Sequence, residues 1–464
     1  METFIVLVFV LGYLAITMEH SLRIDKLVPA LLMMALAWAG ISIGLDNFNT
    51  WFDSHLHSLM DGAHGTRVFA QLGHEERMHV MEDTLLYHFG KTAEILIFLI
   101  GAMTIVEIID HFNGFSTIQR FIKTNQKRTL LWIMAVLAFI LSAIIDNLTA
   151  TIVLITVLRK LVKSDKDRIW FAGLIVIAAN SGGAWSPIGD VTTTMLWIGK
   201  KVSTEKLIEY LILPSLVSMA IPVLVASFLS PFKGTFEPPK AGGPLNPAGP
   251  RMLYLGLALI VFVPVFKTLT HLPPYIGMML SLGVFSMVAE VLSRRQFRAG
   301  VMRHEGSGTS TDAHHPSPTF KALSKIELPS ILFFLGILMT VAALESLGMV
   351  FQFGNQVQSA MSIELFVMLL GGASAIIDNV PLVAASMGMF DMTTHPMDSE
   401  VWHFIAYAAG TGGSMLIIGS AAGVVAMGME RISFFWYLKK ISWLALIGYL
   451  AGGFLFIAEH YFFA

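Results

Sequence analysis

The chain has 464 residues, of which 55% are hydrophobic and 13% charged, with a formal net charge of −2 and no cysteine. A mean hydropathy of +0.70 and a charge fraction far under the roughly 25% of soluble domains exclude a large soluble domain. Basic residues scattered through short loops exclude a polynucleotide partner, and the missing cysteines exclude disulfides, thiolate nucleophiles and cysteine metal sites.

Apolar stretches long enough to cross a hydrocarbon core of about 30 Å recur along the chain. In order, helical spans are predicted over Thr3–Met18, Leu27–Leu45, Thr92–Asp110, Leu207–Ser230, Met252–Leu269, Tyr275–Val291, Glu327–Leu347 and Ile441–Phe462. The first lacks a basic flank before it and a small-residue cleavage site after it, so it reads as a retained span. A long loop over 46–91 carries His55, His57, His64, His74, His79 and His88, which either sense external pH or simply lie in solvent. His74-Glu75-Glu76-Arg77-Met78-His79 spaces its histidines five apart and misses the shared helix face of a zinc-protease motif. The Pro- and Gly-rich loop at 231–250 joins two halves, and 304–318 has a disordered composition.

Four segments are odder: 129–163, 168–199, 361–392 and 400–429. Lysines and arginines favour the cytoplasmic side. Arg120, Lys123, Lys127 and Arg128 precede the first segment, and Arg159, Lys160, Lys163, Lys166 and Arg168 close it, whereas 351–360 and 393–400 around the third contain none. The first therefore has both ends inside and the third has both outside. Ten crossings with both termini outside satisfy these signs, apart from Lys200, Lys201 and Lys206, which fall on the outer face.

Ser142-Ala143-Ile144-Ile145-Asp146-Asn147 recurs unchanged as Ser374-Ala375-Ile376-Ile377-Asp378-Asn379. Met103-Thr104 matches Met339-Thr340 upstream, and Asn180-Ser181-Gly182-Gly183 matches Gly410-Thr411-Gly412-Gly413 downstream. With the loop charges, this order of elements makes two inverted repeats, an arrangement typical of secondary transporters. Asp146-Asn147 sits at the centre of its segment with no polar loop for a second crossing, so each Asp-Asn segment is predicted to be a re-entrant helical hairpin with its tip at mid-depth. The Gly pairs at 182–183 and 412–413, with Pro187 and Gly189 following in the first copy, are predicted to unwind their helices in mid-membrane and expose carbonyls that can hold a cation. The fold class is thus an all-α polytopic membrane protein, divided into 1–91, a first repeat 92–230, linker spans 231–326 and a second repeat 327–464.

An ionised carboxylate in a bilayer costs about 2.5 to 3.5 kcal/mol on insertion scales. Burial disfavours the charged carboxylate and a neighbouring Na⁺ favours it, so a tip aspartate can hold a proton or share a sodium ion but not both. That competition is the minimum requirement for antiport. The predicted shell combines Asp146, Asn147, Thr149, Thr151 and Asn180 to Gly183 in one half. The other half supplies Ser374, Asp378, Asn379 and Gly410 to Ser414, with Asp146, Asn147, Asp378 and Asn379 as the Na⁺ ligands. Hard oxygen donors suit such a cation. Asp190, with Thr192 and Thr193, adds a third buried carboxyl where the second repeat has Ser420, and it is a candidate carrier for a second proton. Glu107 and Asp110 form a candidate proton path. Helix capping is the ordinary role of an Asp-Asn turn, and close packing that of a Gly-Gly pair.

At these residues the chain resembles the NhaD-type sodium/proton antiporters of the ion transporter superfamily. The resemblance covers roughly 92–440 and is specific at Asp146 to Thr151, Asn180 to Thr193, Ser374 to Pro381 and Gly410 to Gly419. It implies Na⁺ or Li⁺ export driven by inward proton movement, a homodimer in lipid, an elevator motion, no cofactor beyond the transported ions, and a bacterial inner membrane. A sodium-coupled carrier of carboxylates or another anion on the same fold is the alternative, although two aspartates at the tips should repel an anion. An arsenite-type permease is a weaker one. Pro187-Ile188-Gly189-Asp190 departs from the Gly-X-Gly-Asp of intramembrane aspartyl proteases, and Gly90-Lys91-Thr92 lacks the earlier glycine of a phosphate loop, so an enzyme or an ATP-driven pump is not expected.

Overall fold

A backbone that crosses lipid must satisfy its own N–H and C=O groups, and this one does so almost wholly with helices. The computed structural model describes residues 1–53, 58–62, 67–119, 122–236, 246–301 and 317–463, and among these the only paired strands are Phe52–Asp53 and Ser58–Leu59, antiparallel. Helices long and apolar enough to cross a membrane are His74–His111, Lys127–Ile145, Thr204–Ala226, Gly249–Thr270, Pro274–Arg295, Leu328–Ser346 and Ser442–Phe462. Shorter apolar helices include Glu2–Thr17 and Leu27–Ile43. The chain is a multi-pass membrane protein.

One boundary departs from the sequence reading. The helix expected to begin at Thr92 starts at His74 and runs 38 residues, about 57 Å, so the connection before it is shorter than 46–91. Two features start it early. The Gly73 N–H donates to Glu76 Oε2 at 3.2 Å, and Glu75 and Glu76 occupy the positive first turn. Arg77, only 8% exposed, donates to the carbonyls of Leu45, Asp46, Phe48, Ala70 and Leu72 and so fastens the connection to the helix. His74 and His79 pair with Asp46 and Asp83. The histidine-rich stretch therefore caps and anchors a helix; His55, His57 and His64 lie outside the described residues. A further helix, Met349–Ala360, occupies a stretch expected to be loop.

The four odd segments fold as paired or broken helices. Lys127–Ile145 and Asn147–Leu161 meet at Asp146, and Ile363–Ser374 and Asn379–Met389 meet around Asp378. Asp165–Gly183 breaks before resuming as Val191–Ile198, and Glu400–Gly412 breaks before Ala421–Glu430. In each half the first hairpin arm packs on the broken helix through matching contacts. Ser142 Oγ donates to Ala179 O at 2.6 Å, and its counterpart Ser374 Oγ donates to Ala409 O at 2.9 Å.

The glycine pairs act differently from the expectation. Gly182, Gly183 and Gly412 are still helical, and unwinding comes after them, over 184–190 and 413–420. Their role is close approach. A Cβ on Gly182 would lie 2.2 Å from Phe139 O, and one on Gly412 would lie 2.2 Å from Gly371 O, again at equivalent places in the two halves. Gly183 and Gly413 meet Gly189 O and Gly419 O, which lets each break fold back on its own helix.

A buried carboxylate joins the pieces at one end. Glu430, at the end of the second broken helix and 1% exposed at its side chain, receives Arg159 Nε at 2.7 Å and Arg168 Nε at 2.9 Å. These arginines come from the first hairpin and the first broken helix. The N-terminal spans lean on the second half: Gly336 packs on the backbone of Ala30, and Trp38 Nε1 donates to Met339 O at 2.8 Å.

Gly412→Ala should lower stability by about 1–3 kcal/mol, because a backbone carbonyl has nowhere to retreat. Gly372→Ala and Gly428→Ala, where an added Cβ meets nothing within 4 Å, should be neutral or mildly stabilising. Thermal unfolding of the three purified variants in detergent checks the contrast, and equal effects would contradict the packing role.

Candidate functional site

At the first tip the chain passes from helix to helix through one residue. Asp146 has φ 77° and ψ 158°, a backbone region that side chains other than hydrogen rarely occupy and that persists only where surroundings enforce it. Here they do. Asp146 Oδ1 accepts from the Thr149 N–H at 2.8 Å and Oδ2 from Thr149 Oγ at 2.9 Å. The capping role is therefore real, and it holds the carboxylate at the tip.

Asp190 follows the first break and is 3% exposed. Its Oδ2 accepts from Thr192 Oγ at 2.9 Å and, across the halves, from Asn379 Nδ2 at 3.0 Å. Asp146 and Asp190 both line a cavity of about 20 Å³, closed otherwise by Thr194 and apolar groups such as Phe98, Met103 and Ile188. This is room for roughly one water-sized sphere.

The other tip residue connects to the opposite half through Asn180. Asn147 Nδ2 donates to Asn180 Oδ1 at 3.1 Å, and Asn180 Nδ2 donates to Ser420 Oγ at 2.9 Å. The repeat equivalents of Asn180 and Ser420 are Gly410 and Asp190. Since Gly410 has no side chain, Asn379 bridges directly to Asp190, whose Oδ2 would lie 3.8 Å from a Cβ placed on Gly410. Each tip asparagine thus ties its hairpin to both broken helices or to the opposite one.

The second tip is unlike the first. Asp378 has φ −50° and ψ 136°, ordinary extended backbone, and among the described residues its backbone donor is Val380 N at 3.4 Å. Its Oδ2 faces Lys26 Nζ at 3.0 Å. Sequence reasoning missed Lys26 altogether.

The remaining expected residues fall into two groups. Ser181 and Thr411 donate to the carbonyls of Ile177 and Tyr407 within their own helices, Ser414, in the second break, donates back to Thr411 O at 2.7 Å, and Thr193 donates to Asp190 O at 2.9 Å. Thr151 is fully buried, with no partner for its hydroxyl among the described residues. Glu107 and Asp110 line a cavity of about 340 Å³ together with Glu327, Lys160, Lys325 and Thr149. That cavity therefore reaches the residue that holds Asp146. A second cavity, of about 410 Å³, is lined by His88, Lys91, Lys200, Lys201 and Glu345 among apolar groups.

A model of the family described as citrate transporter matches residues 13–404. A protein named sodium/proton antiporter 1 from Arabidopsis thaliana is 42% identical over 458 residues, covering 98% of this chain and 72% of that protein. The Na⁺/H⁺ antiporters NhaD of Vibrio cholerae and Alkalimonas amylolytica are 30% and 31% identical, covering 96% of this chain and 89% and 88% of theirs. The chain belongs to the NhaD-type branch of this transporter family. The crystal structure of the Alcanivorax borkumensis YdaH transporter is similar to this NhaD-type fold with a TM-score of 0.54 at 12% identity, covering 94% of this chain and 98% of that one. Family members are transporters, not enzymes. Because plant and bacterial proteins both lie within the branch, membership does not carry the expected bacterial inner membrane.

The lysine cluster that broke the loop-charge pattern has a local explanation. Lys206 pairs with Glu209, and Lys201, 3% exposed, stands 4.4 Å over the Trp402 ring with no hydrogen-bond partner for Nζ among the described residues. Burial pushes the Lys201 pKa down from 10.5 to about 8, against the opposing pull of Glu345 and Asp391. Between those values the unfolded chain holds a proton that the folded chain has released, so stability should rise with pH from about 8 to 10.5. The wild-type thermal midpoint should therefore gain on that of Lys201→Met across this window. Parallel pH curves would show that the amine is not buried in its free form.

Proposed function

We propose that this chain is a secondary antiporter that exports Na⁺, and Li⁺ in its place, in exchange for protons. The observation carrying this reading is that two carboxylates, Asp146 and Asp190, border one cavity of about 20 Å³. Among the described residues neither carboxylate is paired with a lysine or arginine, and Asp146 is held by the neutral donors of Thr149. A dehydrated alkali cation between them neutralises charge that is costly in a low-dielectric interior; protons on the same oxygens do so equally well, and the two occupants exclude each other. Two acids at one cation site also suit the uptake of more than one proton per Na⁺, which makes the exchange electrogenic. The names of the relatives support the same reading.

Thr149, Asn147 and Asn180 orient the site, and the cavity holding Glu107, Asp110 and Glu327 serves as its aqueous access and proton path. In the sidedness derived from loop charges this access is cytoplasmic, the 410 Å³ cavity is external, both hairpins are re-entrant from opposite faces, and both termini are outside. The inverted repeats 92–230 and 327–464, a homodimer and an elevator movement complete the proposal; they rest on the internal repeat and the resemblance.

A sodium-coupled carboxylate carrier is the second reading, favoured by the family's citrate transporter description. The acids at the site oppose it, since an anion would meet Asp146 at the first tip and Asp190 after the first break. Proton flux in reconstituted vesicles decides between them. Na⁺ and Li⁺ should drive proton release and K⁺ and succinate should not, with the response falling at least about 100-fold in Asp146→Asn and Asp190→Asn; this corresponds to about 2.7 kcal/mol of lost interaction. A succinate response that survives both substitutions would establish the carrier instead.

A further inference from the structure

The two tips carry the same sequence, yet only the first is built to receive a free cation. Asp146 is held by the backbone N–H and hydroxyl of Thr149. In the repeat that position is Pro381, which has neither group, so among the described residues Asp378 keeps a single long backbone contact, to Val380 N at 3.4 Å. The second carboxylate is also missing, because the equivalent of Asp190 is Ser420. That hydroxyl is already engaged with Asn180 Nδ2 and the Gly423 N–H.

Lys26 fills the gap. Its Nζ stands 3.0 Å from Asp378 Oδ2 and 4.4 Å from the centre of the Phe333 ring, a cation–π position. The side chains of Lys26 and Asp378 are 27% and 17% exposed, so the pair is largely withdrawn from solvent. Lys26 belongs to neither repeat; it immediately precedes Leu27–Ile43, which packs along Leu328–Ser346 and brings the ammonium to the tip. With carboxylates ionised and no ion bound, the first site carries two negative charges and the second carries none.

We propose that Lys26 is a tethered cation that permanently occupies the second of two pseudo-symmetric alkali-ion sites, leaving the protein one transported Na⁺ per cycle at Asp146 and Asp190. Resting on the antiporter reading, this makes Lys26 a positioning residue that sets how many ions bind. An ammonium is a compact point charge, close enough in role to an alkali ion to satisfy Asp378 without leaving it. Removing the ammonium exposes a carboxylate that has Asn379 beside it in the chain and must recruit a replacement. Removing Asp378 alone instead strands a positive charge near the first site, since Asn379 links this tip to Asp190.

Equilibrium binding of radiolabelled Na⁺ to the purified full chain in detergent tests the proposal. Wild type and Lys26→Arg should bind a single Na⁺ per chain, Lys26→Met a second one, and Lys26→Met/Asp378→Asn a single one again. Asp378→Asn alone should bind Na⁺ at least about 10-fold more weakly than the double variant. A folded Lys26→Met that binds one Na⁺ with wild-type affinity overturns the inference. Where that variant does not survive extraction, equal affinities for Asp378→Asn and the double variant overturn it, because the ammonium then has no influence at the site. Absence of Na⁺ binding by wild type would instead defeat the antiporter reading itself.

Discussion

Carboxylates withdrawn from water into a lipid-embedded core need compensation, and the means of compensation decides what each can do. A fixed countercharge makes a structural ion pair. Neutral donors leave the negative charge in place and open to a mobile ion. Asp146, held by the neutral donors of Thr149, belongs to the second kind, and Asp378, facing Lys26 at 3.0 Å, to the first. The remaining features of the site follow from this difference. Among the described residues, the small cavity shared by Asp146 and Asp190 has carboxylate oxygens and no ammonium or guanidinium on its wall.

The internal symmetry is kept where packing requires it and broken where chemistry does. Ser142 and Ser374, Gly182 and Gly412, and Gly183 and Gly413 make matching contacts in the two halves, because each hairpin must approach its broken helix at backbone distance. Thr149 against Pro381, Asn180 against Gly410 and Asp190 against Ser420 differ. Together these substitutions move a second acid to the first site and leave the second tip to a lysine from outside the repeat. Meanwhile Asn379 and Ser420 reach into the opposite half's network, so neither half can shift without disturbing the other's hydrogen bonds. The Glu430 carboxylate, clasped by Arg159 and Arg168, adds a further tie between the first hairpin and the two broken helices.

The helix boundaries at Asp146 and Asp378 were legible in the chain because apolar segments without a polar middle leave few foldings open, and an unchanged hexapeptide marks equivalent places. Asp190 stood out for a related reason, an acid directly after a Pro-Gly break. What could not be read were contacts over long separations. Lys26 and Asp378 are 352 residues apart, Asp190 and Asn379 are 189 apart, and periodicity carries no information at that range. A signal was nevertheless present: aligning the repeats sets Pro381 opposite Thr149, so the second aspartate had to find its partner elsewhere. The glycines misled for a physical reason, since Gly in a helix reads as a breaker although close packing of two backbones demands it equally. The start at His74 was hidden because a polar, capped first turn looks like loop when only hydropathy is weighed.

The claim that cation and proton compete for one pair of carboxylates is tested most directly by proton release on ion binding, with no membrane or gradient involved. Na⁺ added to the purified, weakly buffered chain should release protons to solution in a saturable manner, Li⁺ should do the same, and Asp146→Asn and Asp190→Asn should each abolish the signal. Saturable Na⁺ binding without proton release, or release that persists when both aspartates are replaced, would contradict the account.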